Sequence, residues 1–219
     1  MKVALLPAKP LALAKTRLAP LLPDAVRARV AAAMFLDVLH ALTAARTIEV
    51  VVVVTADPTL ESHARRAGAV VVDEGTPRGL NGAVALGTDA AVRLGAANTL
   101  VVLSDVPLVR AADVDDLLQR APTHGALVVP SKEGTGTNAL LRTPPTAFPP
   151  CFGGRSLERH VAAAERAGLP CAIVRTARLE LDLDTPEDLS AFVGTPSPTE
   201  TYRELTRLGS PMRRIGARA

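Results

Sequence analysis

The sequence predicts an open, mostly parallel α/β sheet with helices on both faces. Three observations carry this. Short apolar runs rich in β-branched residues alternate with longer helical patterns through the 219 residues, the order that builds a layered α/β sheet. Residues 49–54 are almost unbroken valine. They lack the alternation of a half-exposed strand and so belong to a strand covered on both faces. Helical patterns stop at Gly68, Gly95 and Gly168, where a left-handed C-cap needs a residue without Cβ.

The elements follow in order. Residues 3–6 form the first strand, and an Ala-rich helix over 24–45 begins behind Pro23. Strand 49–54 leads to helix 59–67, strand 69–72, helix 80–94 and the buried strand 99–103. Helix 112–120 precedes strands 126–129 and 139–142, which flank a glycine-bearing loop. Helix 155–167 follows, then late strands at 172–174 and 179–183. A short helix over 186–192 has Thr185 as N-cap, Pro186 at its first position and Asp188 three residues on. Gly194-Thr195-Pro196-Ser197-Pro198 is a linker signal. The expected organisation is one domain over 1–193, then a Pro/Ser linker and loose basic tail over 194–219. No repeat is visible.

Composition narrows the function. Hydrophobic residues are 48% and charged residues 21%, as in a folded domain. No apolar run approaches the roughly 18 residues of a membrane span. Residues 1–7 run straight into a strand without a signal-peptide core. The two cysteines, Cys151 and Cys171, make neither a disulfide framework nor a cysteine zinc cage, and a cytoplasmic location is expected. Aromatics are 2% with no Trp, which argues against a base-stacking surface. The net charge of +3 arises in the tail: residues 201–219 carry +4 and the rest −1. A solvated tail accounts for it, and neither a nucleic-acid nor a membrane partner is expected.

Ligands of open α/β sheets bind beyond the carboxyl ends of the strands, at the switch point, and the chemistry-bearing segments lie there. Pro7-Ala8-Lys9-Pro10, continuing to Lys15-Thr16-Arg17-Leu18, follows strand one. It has no glycine cradle, so Lys9, Lys15 and Arg17 supply charge suited to phosphate oxygens; surface cations are the plainer alternative. Asp105, in Ser104-Asp105-Val106-Pro107, ends a buried strand and suits Mg²⁺, which takes one or two carboxylates plus substrate phosphates; a turn-forming Asp ahead of Pro107 is the plainer alternative. Asp182 and Asp184 stand two apart on an extended segment and share a face, so with Asp105 they form a candidate metal set. Gly134-Thr135-Gly136-Thr137-Asn138 can turn backbone N–H groups toward an anion, although an ordinary hairpin loop fits equally. Phe152-Gly153-Gly154-Arg155-Ser156 opens a helix, where free N–H groups attract anions, and Ser156 fits a helix cap as well as a ligand contact. The polar turn Glu74 to Gly82 offers a bed for a nucleoside, with Asn81 as hydrogen-bonding group or as N-cap. His40, His63, His124 and His160 stand in motif-free settings, and His40 and His160 read as structural. No nucleophilic serine or cysteine pattern is present.

These segments in this order resemble the guanylyltransferases of coenzyme F-420 biosynthesis, which join GTP to 2-phospho-L-lactate or phosphoenolpyruvate. The resemblance spans residues 3–193. It rests on Pro7-Ala8-Lys9-Pro10, Lys15-Thr16-Arg17-Leu18-Ala19, Gly79-Leu80-Asn81, Asp105-Val106-Pro107-Leu108, Gly134 to Leu140, Phe152-Gly153 with Ser156, Glu158-Arg159-His160 and Leu183 to Leu189. It implies a nucleotidyltransferase-type (GT-A, Rossmann-like) fold and Mg²⁺ held by Asp105, Asp182 and Asp184. Thr137, Gly153 and Ser156 would bind the acceptor acid, Lys9, Lys15 and Arg17 the phosphates, and Pro7, Glu74 and Asn81 the nucleotide. Gly154-Arg155 departs from the family's usual Pro followed by Gly or Asp. An Ala- and Arg-rich, Lys-poor composition suggests a GC-rich bacterial source and so favours phosphoenolpyruvate, with 3-phosphoglycerate as the alternative. A homodimer and hand-over of product to the next enzyme stay open. Molybdopterin or sugar-phosphate nucleotidyltransferases would show a glycine-rich loop after strand one. A non-catalytic nucleotide-binding protein would not need three converging acids.

Overall fold

The computed structural model describes residues 1–208. Seven strands form one sheet: β1 (Lys2–Pro7), β2 (Val50–Thr55), β3 (Val70–Asp73), β4 (Asn98–Val102), β5 (Gly125–Pro130), β6 (Thr137–Thr143) and β7 (Cys171–Ile173). Their order is β3-β2-β1-β4-β6-β5-β7. All neighbours are parallel except β6, which runs antiparallel to both β4 and β5.

Successive residues of the central strands feed opposite cores. Ala4, Leu6, Val51, Val53, Leu100 and Val102 pack under α1 (Asp24–Ala44), α2 (Pro58–Arg66) and α4 (Ala111–Gln119). Val3, Leu5, Val52, Val54 and Val101 pack under α3 (Gly79–Arg93) and α5 (Ser156–Arg166). This two-sided cover is why the valine run shows no alternation. In α3, a Cβ on Gly87 would come within 2.9 Å of the Val54 side chain, so glycine there permits a close helix-to-sheet approach.

Two expectations are corrected. Residues 179–183 are not a strand. A short helix α6 (Ala177–Glu180) is followed by extended chain that crosses the strand ends, its Leu183 N–H donating to the Asp105 carbonyl at 3.1 Å. The alternating Leu181-Asp182-Leu183-Asp184 pattern is real, but β5 already has β7 as its outer neighbour. Leu183 instead joins a third cluster with Leu18, Met34, Leu189 and Phe192.

Nor is the chain beyond residue 194 a loose extension as far as 208. After α7 (Pro186–Val193) and the predicted turn, α8 (Glu200–Arg207) packs on α1, with Leu205 fully buried among Val30, Met34 and Phe192. Asp37 of α1 accepts from the backbone N–H groups of Glu200 and Thr201 at 2.7 and 2.9 Å. The arginines Arg213, Arg214 and Arg218 lie outside the described residues. Among the described residues, no helix is long and apolar enough to cross a membrane.

Candidate active site

The chain runs outward from β1 to β2 and β3, then returns across β1 to place β4 on its other side. The carboxyl ends of β1 and β4 thus flank the switch point. A cleft of about 620 Å³ opens there, lined by Pro7, Lys9, Lys15, Arg17, Glu74, Asp105, Asp182 and Asp184 among others.

Two 3-10 turns, Leu11–Leu13 and Thr16–Leu18, shape the loop after β1. Asp57 pins it: one oxygen accepts from Leu11 N–H at 2.8 Å, and the other caps α2 through Thr59 and Leu60. Lys15 takes a left-handed backbone, φ 51, which turns its side chain inward. Its Nζ bridges Asp105 Oδ2 at 2.9 Å and Asp184 Oδ1 at 2.7 Å with the side chain 8% exposed. Burial pulls Lys15 down, but the two carboxylates outweigh it and hold the ammonium above the ordinary lysine value. Arg17 reaches Asp184 at 3.5 Å and stays mostly exposed, and Lys9 is exposed. Burial opposes ionisation of Asp184, yet Lys15, Arg17 and Lys9 hold it below the usual carboxylate range.

Asp182 behaves differently. Burial pushes it up to about 6; an Asn138 hydrogen bond opposes this, and the neighbouring Asp105 charge adds to it. Asp105 Oδ1 is buried without a hydrogen-bond partner. A buried, unpaired carboxylate oxygen near a second carboxylate is a donor set that fits a hard divalent cation. The expected three-aspartate set is not preassembled, however. Among the described residues no three His, Cys, Asp or Glu side chains gather as a metal site, and Lys15 and Arg17 engage Asp184.

The expected acceptor residues form an adjoining group. Thr137 begins β6 and Ser156 begins α5, both buried, while Gly153 (φ 115) sits in the exposed turn before the helix. Leu157 N–H donates to the Thr135 carbonyl at 3.1 Å, tying the two segments together. Asn138 links this group to the cleft: its Nδ2 donates to the carbonyls of Leu179 and Glu180 and to Asp182 Oδ1 at 3.1 Å.

Two expectations change in detail. The glycine N–H groups of the 134–138 loop are not turned to an anion, since Gly134 donates to the Ser131 carbonyl and Gly136 to Ser131 Oγ. Asn81 does not face the cleft as a nucleoside contact. Its amide clamps the backbone of Phe152, with Nδ2 to the carbonyl at 3.0 Å and N–H to Oδ1 at 2.7 Å. Both of its polar atoms hold the turn that precedes α5.

Sequence reasoning gave no individual site role to Asn138, Asp57 or His160. Asn138 stood inside a motif already noted, whereas Asp57 carried only the Asp-Pro signal of a helix start. His160 reads from sequence as a structural residue of a helix, and it is buried there with hydrogen bonds to Thr137 and the Cys151 backbone.

The Guanylyl transferase CofC like family matches residues 1–213, past the end of the sequence resemblance and through α8. The chain is 39% identical over 193 residues to a phosphoenolpyruvate guanylyltransferase of Sphaerobacter thermophilus, covering 88% of this chain and 92% of that one. It is 39% identical over 203 residues to a 3-phospho-D-glycerate guanylyltransferase of Phenylobacterium zucineum, covering 91% and 93%. It is 33% identical over 206 residues to a 2-phospho-L-lactate guanylyltransferase of Methanothermobacter thermautotrophicus, covering 94% and 90%. Among solved structures, a nucleotidyl transferase from Methanothermobacter aligns with a TM-score of 0.63 at 17% identity, over 98% of both chains. That likeness shows the nucleotidyltransferase fold. The family match across nearly the whole chain places this protein in the CofC-like guanylyl transferase family.

Proposed function

We propose that the protein transfers a guanylyl group from GTP to a small phosphorylated acid, phosphoenolpyruvate first, releasing pyrophosphate in a step toward coenzyme F-420. The carrying observation is the buried Lys15 ammonium seated against Asp105, beside Asp182 and an unpaired Asp105 oxygen.

Lys9, Lys15 and Arg17 take phosphate oxygens along the loop after β1, and Pro7 and Glu74 line the nucleotide's side of the cleft. Asp105 and Asp182 would hold Mg²⁺, which when bound neutralises phosphate charge. Thr137, Gly153 and Ser156 hold the acid so that one phosphate oxygen lies in line with the α-phosphorus of GTP. That oxygen forms the new P–O bond as the bond to the β-phosphate oxygen breaks, and pyrophosphate carries away the electron pair. The second phosphate pKa is about 6, so the nucleophile is ionised at neutral pH and no catalytic base is needed. The absence of any histidine from the cleft lining supports this.

The relatives name three acceptors at comparable identity. The 3-phospho-D-glycerate relative is as identical, 39% over 203 residues against 39% over 193, which keeps 3-phosphoglycerate as the second reading. One experiment separates them: pyrophosphate release with Mg²⁺ and GTP, offering phosphoenolpyruvate, 3-phosphoglycerate and 2-phospho-L-lactate separately, with ATP and CTP as controls. Release with GTP and phosphoenolpyruvate is expected. Silence with all three acids, from folded protein that binds GTP, would overturn the reading.

A further inference from the structure

His160 lies fully buried on α5, between Phe148 and Phe152, with the Phe152 ring centroid 4.8 Å away. It makes two hydrogen bonds whose directions decide each other. The backbone N–H of Cys151 approaches Nε2 at 2.9 Å, and a backbone N–H can only donate, so Nε2 presents its lone pair. Burial, helped by Arg142 and Arg159, drives the ring's pKa down to about 4, so it is neutral at physiological pH. A neutral imidazole accepting at Nε2 carries its single proton on Nδ1. That proton points at Thr137 Oγ1, 3.0 Å away.

Thr137 is thereby committed as acceptor toward His160, and its own hydroxyl hydrogen must point elsewhere. Among the described residues that oxygen makes no other hydrogen bond. In the opposite arrangement Thr137 would spend its hydrogen on Nδ1 and offer only lone pairs, which repel an oxyanion.

We propose that His160 is a positioning residue: its Nδ1–H fixes the Thr137 hydroxyl as a hydrogen-bond donor to an oxyanion of the acceptor acid. The inference rests on the proposed acceptor role of Thr137 and adds its polarity and the group that sets it.

The test has two independent arms. Long-range ¹H–¹⁵N correlation on the ligand-free protein reads the tautomer of His160 without any substrate, and the Nδ1-protonated neutral form is expected. Kinetics then compare three changes. His160→Gln keeps an acceptor for Cys151 N–H and removes the donor to Thr137, whereas His160→Asn places an amide donor near the Nδ1 position. Thr137→Val removes the hydroxyl. A lost hydrogen bond to a charged group corresponds to roughly a tenfold or larger rise in the KM for the acid. That rise is expected in His160→Gln, with the KM for GTP near wild type and partial recovery in His160→Asn. The pair His160→Gln/Thr137→Val should be no worse than Thr137→Val alone, because one group acts through the other. An Nε2-protonated signal, additive effects in the pair, or equal changes in both KM values would overturn the proposal. If no acid is turned over, the guanylyl-transfer reading fails, and the tautomer signal with calorimetric binding of the acid still decides this one.

Discussion

Lys15 sits in left-handed backbone at φ 51, a conformation that disfavours a residue with a Cβ by about 1–2 kcal/mol. The position is kept because the ammonium that results is held between two carboxylates. Lys15→Met should lower turnover on the order of 10²-fold or more, the scale for removing one preorganised charge from a phosphoryl site. Circular dichroism should stay unchanged. Turnover within a few-fold of wild type would show that Lys15 only balances Asp105 and Asp184. Asp105→Asn should likewise abolish most turnover and weaken dependence on added Mg²⁺, measured as the Mg²⁺ concentration giving half-maximal rate.

His160 makes a second residue-scale prediction, on stability. Its folded pKa of about 4 lies below the ordinary 6.5, so as pH falls the unfolded chain takes the proton first. The stability held above pH 6.5 is lost progressively as pH falls toward 4, by at most about 3 kcal/mol. Asp182 works in the opposite sense, since its folded pKa of about 6 lies above 3.8 and the folded form gains a proton first. The difference between wild type and His160→Asn isolates the histidine. Urea midpoints at pH 7 and 4.5 should fall further in wild type than in the variant.

At the scale of elements, the readable features were those with a local cause. The capping box of α7, with Thr185 accepting from Asp188 N–H and Asp188 answering at Thr185 N–H, was written in four consecutive residues. The valine strand was equally plain. Segment 179–183 misled because alternation reports an extended chain with two unlike faces, not whether a neighbouring strand is there to pair with it. Asn81 misled because its partner, Phe152, is 71 residues away. The loop after β1 depends on a similar distant contact. Asp57 serves α2 as N-cap and that loop as anchor, so Asp57→Ala should destabilise the fold by about 1 kcal/mol through the cap. It should also raise the KM for GTP as the Lys9 to Lys15 segment loosens. A thermal melt reads the first effect and steady-state kinetics the second; a changed melt with an unchanged KM would detach the anchor from the site.

Across the whole molecule, strand order explains why so much of the site could be placed from sequence. Lys9, Lys15 and Arg17 follow β1 and Asp105 follows β4, the two strands at the switch point, and that topology needs only a βα pattern to anticipate. What sequence could not show was the long-range pairing that gives Asp184 to Lys15, across 169 residues, and leaves Asp105 beside Asp182. Nor could it show that the polar-looking end of the chain carries an apolar face. The pairs Thr201 with Asp37 and Leu205 with Val30 and Met34 become visible only once α1 and α8 are adjacent. This has a consequence for the site. The cluster that buries Leu205 also buries Leu183, which lies between Asp182 and Asp184. A chain ending at residue 198 removes Leu205 and opens that cluster, a change whose Leu→Ala equivalent destabilises by about 2–5 kcal/mol. A chain ending at residue 208 keeps all of these contacts. The shorter chain should therefore melt several degrees lower than the chain ending at residue 208 and, below its melting transition, turn over more slowly. Equal melting temperatures for these two would mean that α8 contributes nothing to the packing behind the aspartates.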